Sequence, residues 1–201
     1  MIASVMQNVF VKIWVIMMLS MLFWGLTLMG GVLLGIGPAF RTITEVFMDN
    51  RYEYRAYHLK DIFKTYKRYF KEANLHFYLF FGVFFVLAYN LYLSTQIKTN
   101  WILFVQFILV FALILTFVTA AFTLDLLSRY DTNLKAALKL AVGHFFFDFK
   151  DLLLYLVGIL ILGLVTKFWP GFILFITISA FVVWTDWSSR KWHQKIDQML
   201  N

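Results

Sequence analysis

Apolar runs and basic segments alternate along the whole chain. Five runs are apolar: 13–34, 75–93, 102–127, 152–165 and 172–184. A helix needs about 20 apolar residues to cross the hydrocarbon core of a bilayer, and the first three runs satisfy this. The last two are shorter, and they reach a workable length if Lys167 snorkels and the adjacent aromatic residues lie in the interfaces. The pattern predicts an all-α membrane protein, a bundle of five transmembrane helices.

The last two apolar runs are separated by Pro170-Gly171, a turn signal. This spacing predicts a helical hairpin, and a re-entrant pair of short helices is the alternative. No linker rich in Ser, Gly or Pro divides the chain. Residues 1–201 are therefore predicted to form a single integral membrane domain.

Orientation in the membrane is predicted from the basic residues outside the apolar runs. The six polar segments contain 1, 8, 1, 4, 1 and 3 Lys and Arg residues in chain order. Because Lys and Arg concentrate on the cytoplasmic side, the alternation predicts an N-terminus outside and a cytoplasmic C-terminus. Trp14, Trp101 and Trp169 would then mark the outer interface.

Two of the basic segments also have apolar residues at helical spacing, at 59–73 and 134–145. They predict amphipathic cytoplasmic helices after transmembrane helices 1 and 3. The basic residues of the first helix are Lys60, Lys64, Lys67, Arg68 and Lys71. They suit either a helix that lies on anionic lipid or a surface that contacts a partner protein.

Small residues cluster where the first apolar run ends. Gly31 and Gly35 form a G-x-x-x-G motif, which lets two helices approach closely. Gly37-Pro38 follows, and it is predicted to end the first helix because proline removes a backbone donor. Gly31, Gly35, Gly37 and Pro38 are therefore candidate helix-packing residues.

Asp125 is the acidic residue inside a predicted span. Acids at membrane depth are candidates for a proton or substrate role. Arg129 lies four residues further on, the spacing of an ion pair on one helix face, and Asp186 and Arg190 repeat that spacing. An Asp125–Arg129 ion pair is the simpler interpretation.

Composition narrows the class of protein. The chain is 62% hydrophobic and 14% charged, and its mean hydropathy is +0.76, whereas soluble domains have about 25% charged residues. It lacks cysteine, which excludes disulfides and thiolate metal sites. Phosphate-binding loops, zinc-protease motifs and nucleophile elbows are also absent from the sequence. We therefore expect no enzyme activity, no cofactor, no metal and no nucleic-acid partner. The net charge of +7 points to anionic lipid.

An apolar helix, then Gly35-Ile36-Gly37-Pro38-Ala39, then the run YHLKDIFKTYKRYFKEA at 57–73 resembles the YesL family of bacterial membrane proteins. The similarity is clearest from about residue 20 to residue 95. The family has no established biochemical activity. The resemblance implies an association with carbohydrate uptake in a bacterial cell membrane, because such proteins tend to be encoded beside sugar ABC transporters. It implies no catalytic residues.

These observations favour a non-catalytic integral membrane accessory protein. The resemblance implies that it assists a carbohydrate ABC transporter as a subunit, an assembly factor or a regulatory factor. Permease or ATPase subunits would be its partners. The alternative is an independent small transporter or channel, which would need a polar pathway through the bundle. Apart from Asp125, the predicted spans offer mostly isolated polar residues such as Asn90 and Gln106.

Overall fold

The computed structural model describes residues 2–147 and 149–200, and over these residues it contains helices and no strand. The α-helices are α1 (Ile2–Met29), α2 (Ile36–Asn50), α3 (Leu59–Ser94), α4 (Ile102–Arg129), α5 (Leu134–Phe147), α6 (Phe149–Phe168) and α7 (Ile178–Leu200). Short 3-10 turns at Leu33–Gly35 and Tyr54–Ala56 flank α2, and a π-helical turn at Ile173–Thr177 precedes α7. The predicted all-α class is confirmed.

Four helices are long and apolar enough to cross a membrane: Met6–Met29, Leu59–Ser94, Ile102–Arg129 and Phe149–Phe168. The predicted fifth run, 172–184, is not among them. It is divided between the π-helical turn and the start of α7, and α7 carries charged residues from Asp186 onward. The structure is thus compatible with a membrane protein, with four candidate spans among the described residues.

Helix α2 is an element that the apolar runs did not predict. The first helix ends at Met29, and the chain then reverses through Gly31, whose φ of +75° lies in the left-handed region. Gly37 and Pro38 lie in the first turn of α2, where proline is tolerated because first-turn amides have no intrahelical acceptor. Gly37-Pro38 therefore begins a second helix and does not end the first, which corrects the prediction.

Helix α2 runs antiparallel to α1 and occupies the interior of the bundle. Near its start, the rings of Phe23 and Phe40 pack with centroids 4.7 Å apart. Beyond its end, the Lys12 amino group lies 5.4 Å from the ring centroid of Tyr52. Ile43 and Phe47 are buried on α2, and so are several polar residues of this helix. Helix α2 contacts α1, α3, α4 and α7.

Helix α1 is also antiparallel to the last helix. Trp24 Nε1 donates to the carbonyl of Ile173 at 3.2 Å, and the Ser20 and Ser179 hydroxyls are 2.9 Å apart. The start of α1 therefore lies at the same end of the bundle as α7 beyond Ser179. The sequence prediction placed these two segments at opposite ends, because it counted residues 36–50 as a loop and not as a helix that returns along α1.

Candidate functional site

Arg41 is a charged side chain in the interior of the bundle. It is 6% exposed, and its Nη2 atom donates a hydrogen bond to the carbonyl of Leu127 on α4. Its Nε atom lies 3.5 Å from Oε2 of Glu45, one helical turn further along α2. The ring of Tyr69 on α3 lies 4.6 Å from the guanidinium carbon. Among the described residues, Nη1 of Arg41 has no hydrogen-bond partner.

Both charged members of this pair are withdrawn from water. The side chain of Arg41 is 8% exposed and that of Glu45 is 15% exposed. Because taking charges out of water is costly, the two side chains stabilise each other at a cost in desolvation.

His76 lies near this pair on α3. It is 6% exposed, its ring packs edge-on against Phe80 at 5.0 Å, and its Nε2 atom has no hydrogen-bond partner among the described residues. In the sequence, His76 stands where the basic part of α3 gives way to the apolar run 75–93. It therefore combines burial with an unused polar atom at the boundary between the two parts of the helix.

An apolar cleft of about 360 Å³ opens between α2, α3, α4 and the start of α7. Aromatic side chains form most of its wall, among them Phe40, Phe77, Phe84, Phe117 and Phe181. Cavities that bind small molecules span about 300–1,000 Å³ and are mostly apolar. The cleft has the volume and the composition of a binding site for an apolar group.

The polar side chains in the wall of the cleft are His76 and Thr116. The Thr116 hydroxyl donates to the carbonyl of Ala112 at 2.8 Å, which leaves His76 as the polar group that faces the cleft without a partner. A second cavity of about 10 Å³ shares Ala73 and His76 with the cleft and has Arg41 in its wall. That volume holds about one oxygen-sized atom.

A second charged cluster surrounds Asp186, whose side chain is 1% exposed. Its carboxylate contacts three arginines: Arg51 at 2.5 Å, Arg190 at 3.7 Å and Arg129 at 3.9 Å. These arginines come from the end of α2, from α7 itself and from the end of α4. The cluster therefore joins three helices at one end of the bundle.

In the structure, the partner of Asp125 is a different residue from the predicted Arg129. Oδ2 of Asp125 lies 2.6 Å from Nε2 of His193 on α7, and both side chains are almost fully buried. Arg129 instead contacts Asp186, because α7 brings its own acid to the end of α4. The ion pair expected from the second spacing is present, because Arg190 contacts Asp186.

The last turns of α7 are held against the end of α4. The Tyr130 hydroxyl donates to Oδ1 of Asp197 at 2.8 Å. Burial and this hydrogen bond raise the pKa of Tyr130 to about 12, so it remains protonated at physiological pH. The ring of Trp192 stacks on His144 of α5 with centroids 5.1 Å apart. The contacts fix α7 to α4 and α5.

The basic residues predicted as a contact surface are Lys60, Lys64, Lys67, Arg68 and Lys71, and all five are exposed. They do not lie on a separate helix, because residues 59–94 form one continuous α3. On the other side of the same turns, Ile62 and Tyr66 are buried in the core, whereas Leu59 is exposed. We call these five residues the basic face.

The predicted glycines occupy different environments. A side-chain carbon at Gly35 would overlap the backbone of Thr27, and one at Gly37 would lie 2.8 Å from both the Ala73 carbonyl oxygen and Phe77 Cβ. A carbon at Gly31 would meet nothing within 4 Å, and this residue instead has a positive φ. Close helix approach thus involves Gly35 and Gly37.

Fold and site together define an all-helical protein with four candidate membrane spans and buried charged groups between them. Within the described residues, no cluster of His, Cys, Asp and Glu has the geometry to hold a metal ion. Residues 16–91 match the family described as "Protein of unknown function, DUF624", the domain family of YesL-like proteins. This match covers less than half of the chain and includes Arg41, Glu45 and His76, but not Asp125 or Asp186. No curated protein and no solved structure matches the chain.

Proposed function

We propose that this chain is a non-catalytic accessory protein of a bacterial cell membrane, and that the basic face of α3 is its contact with a partner. The observation that carries the proposal is that all five basic side chains are exposed while Ile62 and Tyr66, in the same turns, are buried in the core. A face built on a packed helix is ordered before binding, which lowers the entropy cost of association. Such a face suits an acidic protein surface.

The partner that we propose is a carbohydrate ABC transporter, through its permease or its ATPase subunit. This part of the proposal rests on the resemblance to YesL-like proteins. In this role, the protein would be a subunit, an assembly factor or a regulatory factor.

The proposed orientation follows from the contacts between helix ends. Lys12 lies beside Tyr52, and the neighbouring Arg51 contacts Asp186. Lys12, Arg51 and the basic face make this end of the bundle strongly basic, so we place this end in the cytoplasm. Both termini are then cytoplasmic, residues 172–184 form the fifth lipid-facing span, and α2 is an inner return pass.

The absence of cysteine makes this orientation testable by labelling. Single cysteines replace the exposed residues Lys12, Lys64 and Lys98, and intact cells are treated with an impermeant maleimide. We expect labelling of Lys98→Cys in intact cells, and of Lys12→Cys and Lys64→Cys only after permeabilisation. Labelling of Lys12→Cys together with Lys98→Cys in intact cells would contradict the orientation.

Docking is tested by affinity purification in mild detergent, followed by identification of permease and ATPase subunits. The variant is Lys64→Glu/Lys67→Glu, and the matched control is Lys135→Glu/Lys139→Glu, because these lysines are also exposed on an amphipathic helix. We expect the yield of transporter subunits to fall about tenfold in the first variant and to stay unchanged in the control. If only binding to anionic vesicles falls, the basic face is a lipid contact and the docking proposal is wrong.

The alternative function, an independent small transporter or channel, makes a different prediction. The protein would be recovered alone, and liposomes that contain it would take up a sugar or another solute. Uptake without any transporter subunit would replace the accessory proposal.

A further inference from the structure

Two buried polar atoms lie beside the Ala73–His76 end of the cleft, which we call its polar end. Nη1 of Arg41 and Nε2 of His76 belong to side chains that are each 6% exposed, and neither atom has a hydrogen-bond partner among the described residues. Both residues are in the wall of the small cavity that shares Ala73 and His76 with the cleft. A buried donor without an acceptor retains its full desolvation penalty, so an acceptor bound here would be stabilised.

The cleft also has a defined depth along α3. Its wall on this helix extends from Ala73 to Phe84, about 16 Å at the helical rise of about 1.5 Å per residue. His76 is near the start of this stretch, immediately after the basic face, and Phe84 is within the apolar run. In the proposed orientation, the polar end would lie at the level of lipid headgroups, and the aromatic wall would extend into the hydrocarbon.

We propose that this cleft binds a membrane phospholipid, with one acyl chain against the aromatic wall and a phosphate oxygen accepting hydrogen bonds from Arg41 and His76. The inference uses the proposed membrane orientation and does not use docking to a partner. The small cavity has room for about one oxygen atom, which matches a single phosphate oxygen and not a whole headgroup. Arg41 donates from its guanidinium, and His76 donates in the tautomer with a proton on Nε2.

Positive and negative side chains around the polar end are nearly balanced, so their net charge contributes little to the binding of an anion. Arg41 and Arg68 contribute positive charge, and Glu45 and Glu72 oppose it. Glu45 lies 3.5 Å from Arg41 Nε, and Glu72 is in the wall of the small cavity. Because the four charges nearly cancel, selectivity is expected to come from the two unused donors and not from net charge.

Native mass spectrometry of the purified full-length protein tests the proposal. The probes are phosphatidylglycerol, phosphatidylcholine and diacylglycerol with identical acyl chains, each added to the delipidated protein in detergent. We expect one phosphatidylglycerol or one phosphatidylcholine per protein to bind at least about fivefold more tightly than diacylglycerol, which has no phosphate. Equal affinity for the three lipids would overturn the proposal.

Two variants locate the lipid. Ala120 lines the cleft, so Ala120→Phe fills it and should lower phosphatidylglycerol affinity at least about fivefold. Gly163→Phe is the control, because a side-chain carbon at that position on α6 meets nothing within 4 Å. His76→Leu preserves the apolar wall and should remove the preference for phosphatidylglycerol over diacylglycerol. If Ala120→Phe does not fold, His76→Leu still decides the result.

A last variant separates the cleft from the basic face. Lys64→Gln/Lys67→Gln removes two exposed charges that do not line the cleft. We expect the single tightly bound phosphatidylglycerol to remain. Its loss in this variant, with retention in Ala120→Phe, would place the lipid on the basic face and overturn the proposal. Because no partner protein is present, a failure of docking does not affect this result.

Discussion

Close packing between α2 and α3 makes Gly37 sensitive to the smallest possible side chain. A Cβ atom at this position would lie 2.8 Å from the Ala73 carbonyl oxygen and 2.8 Å from Phe77 Cβ. Ala73 O belongs to the helix backbone and cannot rotate away, so α2 and α3 would have to separate. Overpacking of this kind costs about 1–3 kcal/mol, and the better helix propensity of alanine returns up to about 1 kcal/mol. With both effects near the middle of these ranges, the Gly37→Ala variant should be less stable by about 1–2 kcal/mol.

Thermal unfolding in detergent, followed by tryptophan fluorescence, measures this effect. For a chain of this size, 1 kcal/mol shifts Tm by about 2–4 °C, so Gly37→Ala should lower the apparent Tm by about 2–8 °C. The matched control is Gly163→Ala on α6, where the added carbon meets nothing within 4 Å. Its Tm should be unchanged or higher by up to about 4 °C. If Gly37→Ala is as stable as Gly163→Ala, the helices are not packed this closely and the reasoning is refuted.

One further prediction concerns the charged groups. Asp186→Asn removes the shared counter-charge of Arg51 and Arg129 and should lower the free energy of unfolding by about 1.5–3 kcal/mol, measured by thermal unfolding. The control is Asp61→Asn, which replaces an exposed acid and should change stability by at most about 0.5 kcal/mol. Equal effects of the two variants would contradict the role of the cluster.

The sequence predicted the apolar helices because their apolar residues form continuous runs. It did not predict α2 because apolar and polar residues are mixed in this helix. Ile36, Phe40, Ile43 and Phe47 do follow helical spacing, but Arg41 and other polar residues between them lower the hydropathy. This helix can be buried because some of its polar side chains form hydrogen bonds with its own backbone. The hydroxyls of Thr42 and Thr44 donate to the carbonyls of Pro38 and Phe40 at 2.7 and 2.8 Å.

Contacts between residues far apart in the sequence could not be predicted from the sequence around either residue. Sequence spacing can relate only residues on one helix, so it correctly indicated Arg190 beside Asp186 and failed for Asp125. The partner of Asp125 is His193, and it is defined by where α7 crosses α4. Arg41 and His76 were likewise unremarkable in the sequence, because their unused donors are visible only once α2, α3 and α4 enclose them.

The position of α2 has a consequence for how the protein is made. An arginine at the centre of an isolated helix opposes insertion into lipid by about 2.5–3.5 kcal/mol, and α2 carries Arg41 together with Glu45. The helices that bury it are α1, α3, α4 and α7, and three of these are synthesised after it. Helix α2 therefore cannot reach its final position until later helices are present. In the proposed membrane orientation, residues 36–50 would remain at the membrane surface or inside the insertion machinery until then, and a truncation before α3 would leave them without helices to pack against.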